Sequence, residues 1–321
     1  MNNKLLPTAL AVHTALAVRV TIIVMVLVFL SGFFFDSLDA MSWPSVDAFL
    51  FRNFGVNENG KPVLGMIFSG GTDILAAESG EVIFTMQKND RASRLPSPLG
   101  AWAAIDHGDG LISIYSRYYE GGEAIINSEG GQPVQLKYLR RVEKNQPIAV
   151  SGSSGWSAHE GFYFMLFDRR ERRWINPAMI INPAQETRPP QIVSVSLRNN
   201  QGQIVQTNNL TQGRYTVVVN AAGGSPSAIP AAQAGQYAPH EILCSVNGAE
   251  VGSLNFEAFS ARDGTQMVYR NGLVPARQIF AYSPSYEAAE VFLTRGQVTL
   301  EVIVQDINGV SRNTVSRFNV N

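Results

Sequence analysis

The sequence predicts an all-β protein: an N-terminal export or anchor segment, an antiparallel β domain and a C-terminal β-sandwich. Three observations lead there. First, 28 glycines and 16 prolines are spread along 321 residues between short apolar runs, the composition of turn-rich β structure. Second, no long helical period runs between Ser42 and Pro183. Third, the stretch after Gln191 alternates apolar and polar residues at the spacing of a sandwich. A chain of this length exceeds one typical domain.

Residues 1–40 form the first part. Lys4 and Arg19 precede an uncharged apolar run from Val20 to Phe35, and Asp36 and Asp39 follow it. Basic residues before and acidic residues after predict that the N-terminus stays in the cytoplasm and the rest is exported, to the periplasm or cell envelope. The run is long for a signal peptide and short for a membrane span. A cleaved signal and a retained inner-membrane anchor therefore both stand; Leu38 is large for the −3 position if cleavage follows Ala40. No lipobox cysteine is present. A net charge of −1 with 16% charged residues gives no basis for a nucleic-acid partner.

Residues 42–183 read as short β runs, among them "GEVIFTM", "AWAAID", "LISIYSRYY", "PIAVSG" and "GFYFMLFD". The proline-rich polar stretch 184–191 is expected as a linker. Residues 192–321 supply about seven alternating strands, with a D-x-N-G hairpin signal in "VQDINGVS", which predicts an immunoglobulin-like sandwich. The single cysteine, Cys244, falls on one of these strands and is expected as a buried structural thiol.

The 42–183 stretch carries an ordered series of motifs: "WPSV", "FRNFG", "FSGGTDI", "AAESGEV", "LGAWAAIDHGDGLISIYSR", "VEKNQPIAVSGSSGWSAHEGFYFML" and "WINP". In order and spacing these resemble the lysostaphin/LytM-type zinc metalloendopeptidases, which cut peptide cross-bridges of bacterial cell walls. The resemblance covers Trp43 to about Pro183 and implies a mainly antiparallel β domain with its site in a groove on the sheet.

The resemblance also implies a zinc site of three ligands and one open position, which activates water. Here "FSGGTDI" keeps Phe68, Gly71, Asp73 and Ile74, but Ser69 stands where the first ligand belongs. In the H-x-H stretch Gly161 stands at the first histidine and Tyr163 at the second, the ligand. Arg117 stands at a further catalytic histidine. Neutral hydroxyls are poor zinc ligands, and a permanent cation opposes a dication. Zinc is therefore expected to be lost, with Asp73 and Arg117 forming an ion pair in its place. Of the other histidines, His13 lies in the export segment, His107 is expected at a turn, His240 in a loop, and His159 near enough to the H-x-H position to swing inward.

These residues lead to an exported, non-catalytic relative of wall peptidases. Ser69, Asp73, Arg117, Trp156, Ser157 and Tyr163 would shape a groove that binds peptidoglycan or an envelope partner, as scaffold or regulator of wall remodelling. One alternative is a divergent zinc peptidase using Asp73 and His159 with a third ligand. Another is a purely structural envelope protein that interacts through the C-terminal sandwich. The basic run "DRRERR", Asp168 to Arg173, is expected as a solvated hairpin tip.

Overall fold

The computed structural model describes residues 40–70, 73–86, 97–123, 136, 140–156, 160–181, 188–205, 210–225 and 237–321. The export segment with His13, residues 184–187 of the expected linker, Ser157 and His159 lie outside them. Met41–Asn321 forms one unit.

Alternation builds the sandwich. In the strand Gly296–Gln305, Val298, Leu300, Val302 and Val304 point inward while the residues between them face outward to varying degree. This strand pairs with Glu241–Val246 and Ser311–Val320, and Glu241–Val246 pairs in turn with Ala249–Arg262. Across the core lies a second sheet of Ile204–Val205, Gln191–Asn199, Gly213–Ala222 and Tyr286–Leu293. Val217, Val219 and Leu293 of that sheet share one apolar cluster with Ile242, Leu254 and Val302 of the first. Cys244 is buried there as expected, and burial pushes its thiol up to about 12.

In the N-terminal part, Gly161–Asp168 is the central strand. It lies between Met66–Ser69 and Leu111–Glu123, and beyond the latter come Ala101–Asp106 and Gly80–Met86. All strands are antiparallel here. One face packs Phe68, Phe162, Phe164 and Tyr115, with Phe68 and Phe162 stacked at 4.6 Å. The Tyr115 hydroxyl accepts the Ala77 N–H at 2.7 Å.

The two parts share a sheet. The short strand Arg173–Ile175 pairs with Gly161–Asp168 on one side and with Ala249–Arg262 on the other, matching Trp174 to Phe259. They also share a core. Tyr163 and Met165 point to the opposite face from Phe162 and Phe164, and join the cluster of Phe256, Phe259 and Phe280. This explains why "GFYFMLF" is apolar without alternation: both faces of the strand are covered.

Residues 53–63 are the clasp. Phe54 packs on Phe259 at 4.9 Å between ring centroids. Asn53 exchanges two hydrogen bonds with the Ala238 backbone, and the Asn57 amide donates to the carbonyls of Phe280 and Ser285. Gly55 is required here, because its φ is +85° and an added Cβ would lie 3.0 Å from the Phe256 ring.

All four tryptophans precede residue 183, so their fluorescence reports on the N-terminal part. Ile242→Ala, wholly inside the sandwich, is expected to cost about 2–5 kcal/mol. Because the parts share a core, it is expected to lower the denaturant midpoint of the tryptophan-reported transition. An unmoved tryptophan transition would mean that the parts unfold independently.

Candidate functional site

Strand register places the site. Phe49 pairs with Ser69, Ser69 with Gly161, and Gly161 bridges to Gly152, so these four lie in one row across adjacent strands. Residues paired directly in a row share a face of the sheet. The middle of the row is small. Its margins carry exposed aromatics: Phe49 at one end and, beside Gly152, Tyr119. Trp156 is 74% exposed on the loop after Gly152, with its backbone N–H donated to the Pro98 carbonyl. Asp73 pairs with Val150 on the neighbouring strand pair, and both are exposed.

Gly161 has no space for a side chain. Its φ is +153°, and a Cβ would lie 1.9 Å from the Phe68 carbonyl oxygen. Tyr163, two residues on, is buried. Its hydroxyl accepts the Leu64 N–H at 2.7 Å, and burial raises its pKa well above the ordinary phenol value.

Arg117 is placed by a β-bulge. Ala101 pairs with Tyr118 and Trp102 with Ser116, leaving Arg117 as the extra residue, with its N–H donated to the Leu99 carbonyl. Its φ is +68°, a conformation that costs a non-glycine residue about 1–3 kcal/mol. The bulge keeps both Tyr115 and Tyr118 in the apolar core on one face. Its guanidinium carbon therefore lies over the Tyr163 ring, 5.1 Å from the centroid. Burial lowers the proton affinity of Arg117, opposed by Tyr163 and Glu58, while Arg52 adds to the lowering.

The expected ion pair between Asp73 and Arg117 is not formed. Among the described residues neither side chain makes an ion pair, and Arg117 Nε is buried without a hydrogen-bond partner. The reason is the bulge, which turns Arg117 onto Tyr163 rather than along the sheet towards Asp73. Glu58, the nearest acidic influence, is itself engaged by Arg52.

The remaining sequence candidates are structural. His107 at its turn contacts the Ser79 carbonyl at 2.8 Å and the Ser113 hydroxyl at 2.7 Å. Burial lowers its pKa. His240 belongs to the sandwich, 3.9 Å from Glu257. At the "DRRERR" tip Arg169 pairs with Asp106, Arg170 with Asp109 and Arg173 with Asp168, while Glu171 and Arg172 face solvent. Among the described residues no group of three or more His, Cys, Asp or Glu is placed to hold a metal.

The residues present do not fit zinc. Ser69 brings a neutral hydroxyl and Gly161 nothing. The Tyr163 oxygen is occupied by an N–H and held protonated by burial, and Arg117 brings a fixed positive charge. The sequence names each of these residues but pairs Arg117 with Asp73, an ion pair that is not among those formed by the described residues. Two residues not singled out there, Arg52 and Glu58, complete the charged group beside Arg117.

Several solved structures are similar to parts of this chain. One is the catalytic domain of the prophage-encoded protein EnpA from Enterococcus faecalis, 18% identical over 43% of this chain and 94% of that one, with a TM-score of 0.31. The chain resembles the lysostaphin-type peptidases. Lysostaphin itself, from Staphylococcus simulans, is 15% identical over 83% of this chain and 92% of its own, with a TM-score of 0.29. A chain of the SpoIIQ–SpoIIIAH pore-forming complex is 19% identical over 45% of this chain and 92% of that one, with a TM-score of 0.32. A family model matches residues 189–321. No curated protein matches the sequence.

Two outcomes follow from this geometry. Gly161→Ala is expected to lower stability by about 1–3 kcal/mol, read from the thermal midpoint, because the new Cβ meets the Phe68 carbonyl. The folded pKa of His107 is depressed, so the unfolded chain binds its proton more readily. Stability from this group is therefore complete above the ordinary imidazole value, about 6.5, and is lost as pH falls below it. The denaturant midpoint is expected to drop between pH 7 and pH 5, and the drop to be smaller in His107→Asn.

Proposed function

We propose that this chain is an exported, non-catalytic member of the peptidase-like proteins, which binds cell-wall peptide or an envelope partner and serves as scaffold or regulator of wall remodelling. The observation that carries the reading is Tyr163. At the position the resemblance gives to the last zinc ligand, its hydroxyl holds the Leu64 N–H and its ring lies under Arg117. That position is part of a core, and it supports a surface rather than a reaction centre.

The surface itself suits an extended ligand. Phe49, Tyr119 and Trp156 offer exposed aromatic faces around the Ser69–Gly161–Gly152 row. Asp73 and Arg117 add opposite charges that do not neutralise each other. The charge pattern around the Val20–Phe35 run supports placing this surface outside the cytoplasm, whether the segment is cleaved or retained.

The test combines metal analysis, hydrolysis and sedimentation. After dialysis against zinc, the purified chain is expected to hold far less than one equivalent and to release no fragments from purified peptidoglycan. It is expected to co-sediment with that material or to capture an envelope protein, and Trp156→Ala to weaken whichever contact is seen. Stoichiometric zinc together with chelator-sensitive hydrolysis would overturn the reading in favour of a divergent peptidase.

A further inference from the structure

Two long edge strands of the sandwich are protected unequally. Tyr286–Leu293, at the edge of one sheet, pairs only with Gly213–Ala222. Arg270 covers its open side, donating to the Glu287 carbonyl at 3.3 Å and to the Glu290 carboxylate at 2.8 Å. Ser311–Val320, at the edge of the other sheet, has no such cover. It pairs with Gly296–Gln305 over 10 residues in unbroken register, and it contains no proline, lysine or bulge. Those are the devices that usually blunt an edge. On the open side only its end is used. Leu210 bridges Val320 in parallel, and Asn321 donates to the Leu210 carbonyl and accepts the Gln212 N–H. Among the described residues no other backbone hydrogen bond reaches Ser311–Asn319 from that side.

The space along this edge is shaped and charged. A cleft of about 380 Å³ lies between it and the start of the facing sheet, lined by Pro190, Gln191, Ile192, Arg312, Asn313 and Thr314. Consecutive residues of each strand line it, so the cleft follows the two backbones rather than one face. Arg312 and Arg317 are exposed on the edge strand, on opposite faces by alternation. Neither has a hydrogen bond or ion pair among the described residues. Glu301, the one acid on the neighbouring strand, lies opposite Val315 and is held by the Asn313 amide at 2.9 Å. A second copy of the chain fits poorly here, because two such strands side by side bring arginines together and no acid. The charge favours an acidic strand from a different protein.

We propose that the open edge of Ser311–Val320 receives an extended acidic segment of a partner protein as an added strand. Main-chain hydrogen bonds supply the affinity, and Arg312 in its cleft together with Arg317 supplies the preference for acidic side chains. This surface belongs to the sandwich alone and does not depend on the row around Gly161.

The test uses the full chain and three peptides: acetyl-Asp-Val-Thr-Val-Thr-Asp-amide, and the same sequence with Asn or with Lys in place of both Asp. The two acids are spaced as Arg312 and Arg317 are, in either strand direction. The readouts are the dissociation constant of each peptide and the exchange of backbone amides with deuterium. The Asp peptide is expected to bind about threefold or more tightly than the Asn peptide, with the Lys peptide weakest and the differences shrinking as salt is raised. Bound peptide is expected to slow exchange within Ser311–Asn319 and not at Tyr286–Leu293. Changing both Arg312→Glu and Arg317→Glu is expected to reverse the order of the Asp and Lys peptides. Should that chain fail to fold, the three peptides and the exchange map on the unaltered chain still decide. Equal binding of the three, protection outside Ser311–Asn319, or no binding at millimolar concentration would overturn the proposal. So would self-association that protects the same amides without peptide, since it assigns the edge to a second copy. Trp156→Ala is expected to leave these readouts unchanged, so the surface around Gly161 is judged separately.

Discussion

The pairing of Arg173–Ile175 with both Gly161–Asp168 and Ala249–Arg262 turns what would be the open face of a small β domain into the wall of a larger core. From that join, the aromatic cluster of Phe256, Phe259 and Phe280 reaches Tyr163 and Met165. Buried apolar area contributes roughly 25 cal/mol per Å², and aromatic contacts of this kind add about 0.5–1.5 kcal/mol per pair. A strand covered on both faces cannot shift by one residue without driving Tyr163 into the place of Phe162 or Phe164. The site inherits this rigidity: Ser69 and Gly161 are held in register, and Tyr163 cannot swing outward to present its oxygen.

The clasp of residues 53–63 passes the constraint on to the charged group. Asn53, Gly55 and Asn57 fasten this segment to the sandwich through Ala238, Phe256, Phe280 and Ser285. Glu58 lies at its tip and Leu64 just beyond its end, so the carboxylate that influences Arg117 and the N–H that fixes Tyr163 are both positioned by distant C-terminal residues. The sandwich therefore shapes the electrostatics of the site without supplying a residue that faces it.

Much of this was legible beforehand. The alternating strands were readable where one face is wet, as in Gly296–Gln305, and the buried thiol of Cys244 followed from its place on such a strand. The all-β class and antiparallel pairing are those expected. "GFYFMLFD" was readable as a strand, yet nothing local tells that its second face meets residues nearly a hundred positions away, because apolar residues on both faces fit any covered strand. The Arg117 bulge was hidden for a different reason. In "LISIYSRYY" strict alternation puts Arg117 on the face of Tyr115, and only the demand that Tyr115 and Tyr118 both be buried inserts the extra residue. The expected pair with Asp73 failed on that single step of register.

A guanidinium and a metal ion differ in what they can do in a site. A zinc ion withdraws electrons from a bound water and makes it a nucleophile near neutral pH. A guanidinium has donors only; it neither takes a proton from water nor shares a coordination position with substrate. What it retains is positive charge and, in its planar fork, a directionality that a point charge lacks. Seated on an aromatic ring, it gains about 0.5–2 kcal/mol according to how far it is desolvated, and it loses rotational freedom before any ligand arrives. Arg117, Tyr163 and a side-chain-free Gly161 thus bring no group that could activate water, in keeping with the non-catalytic reading proposed above.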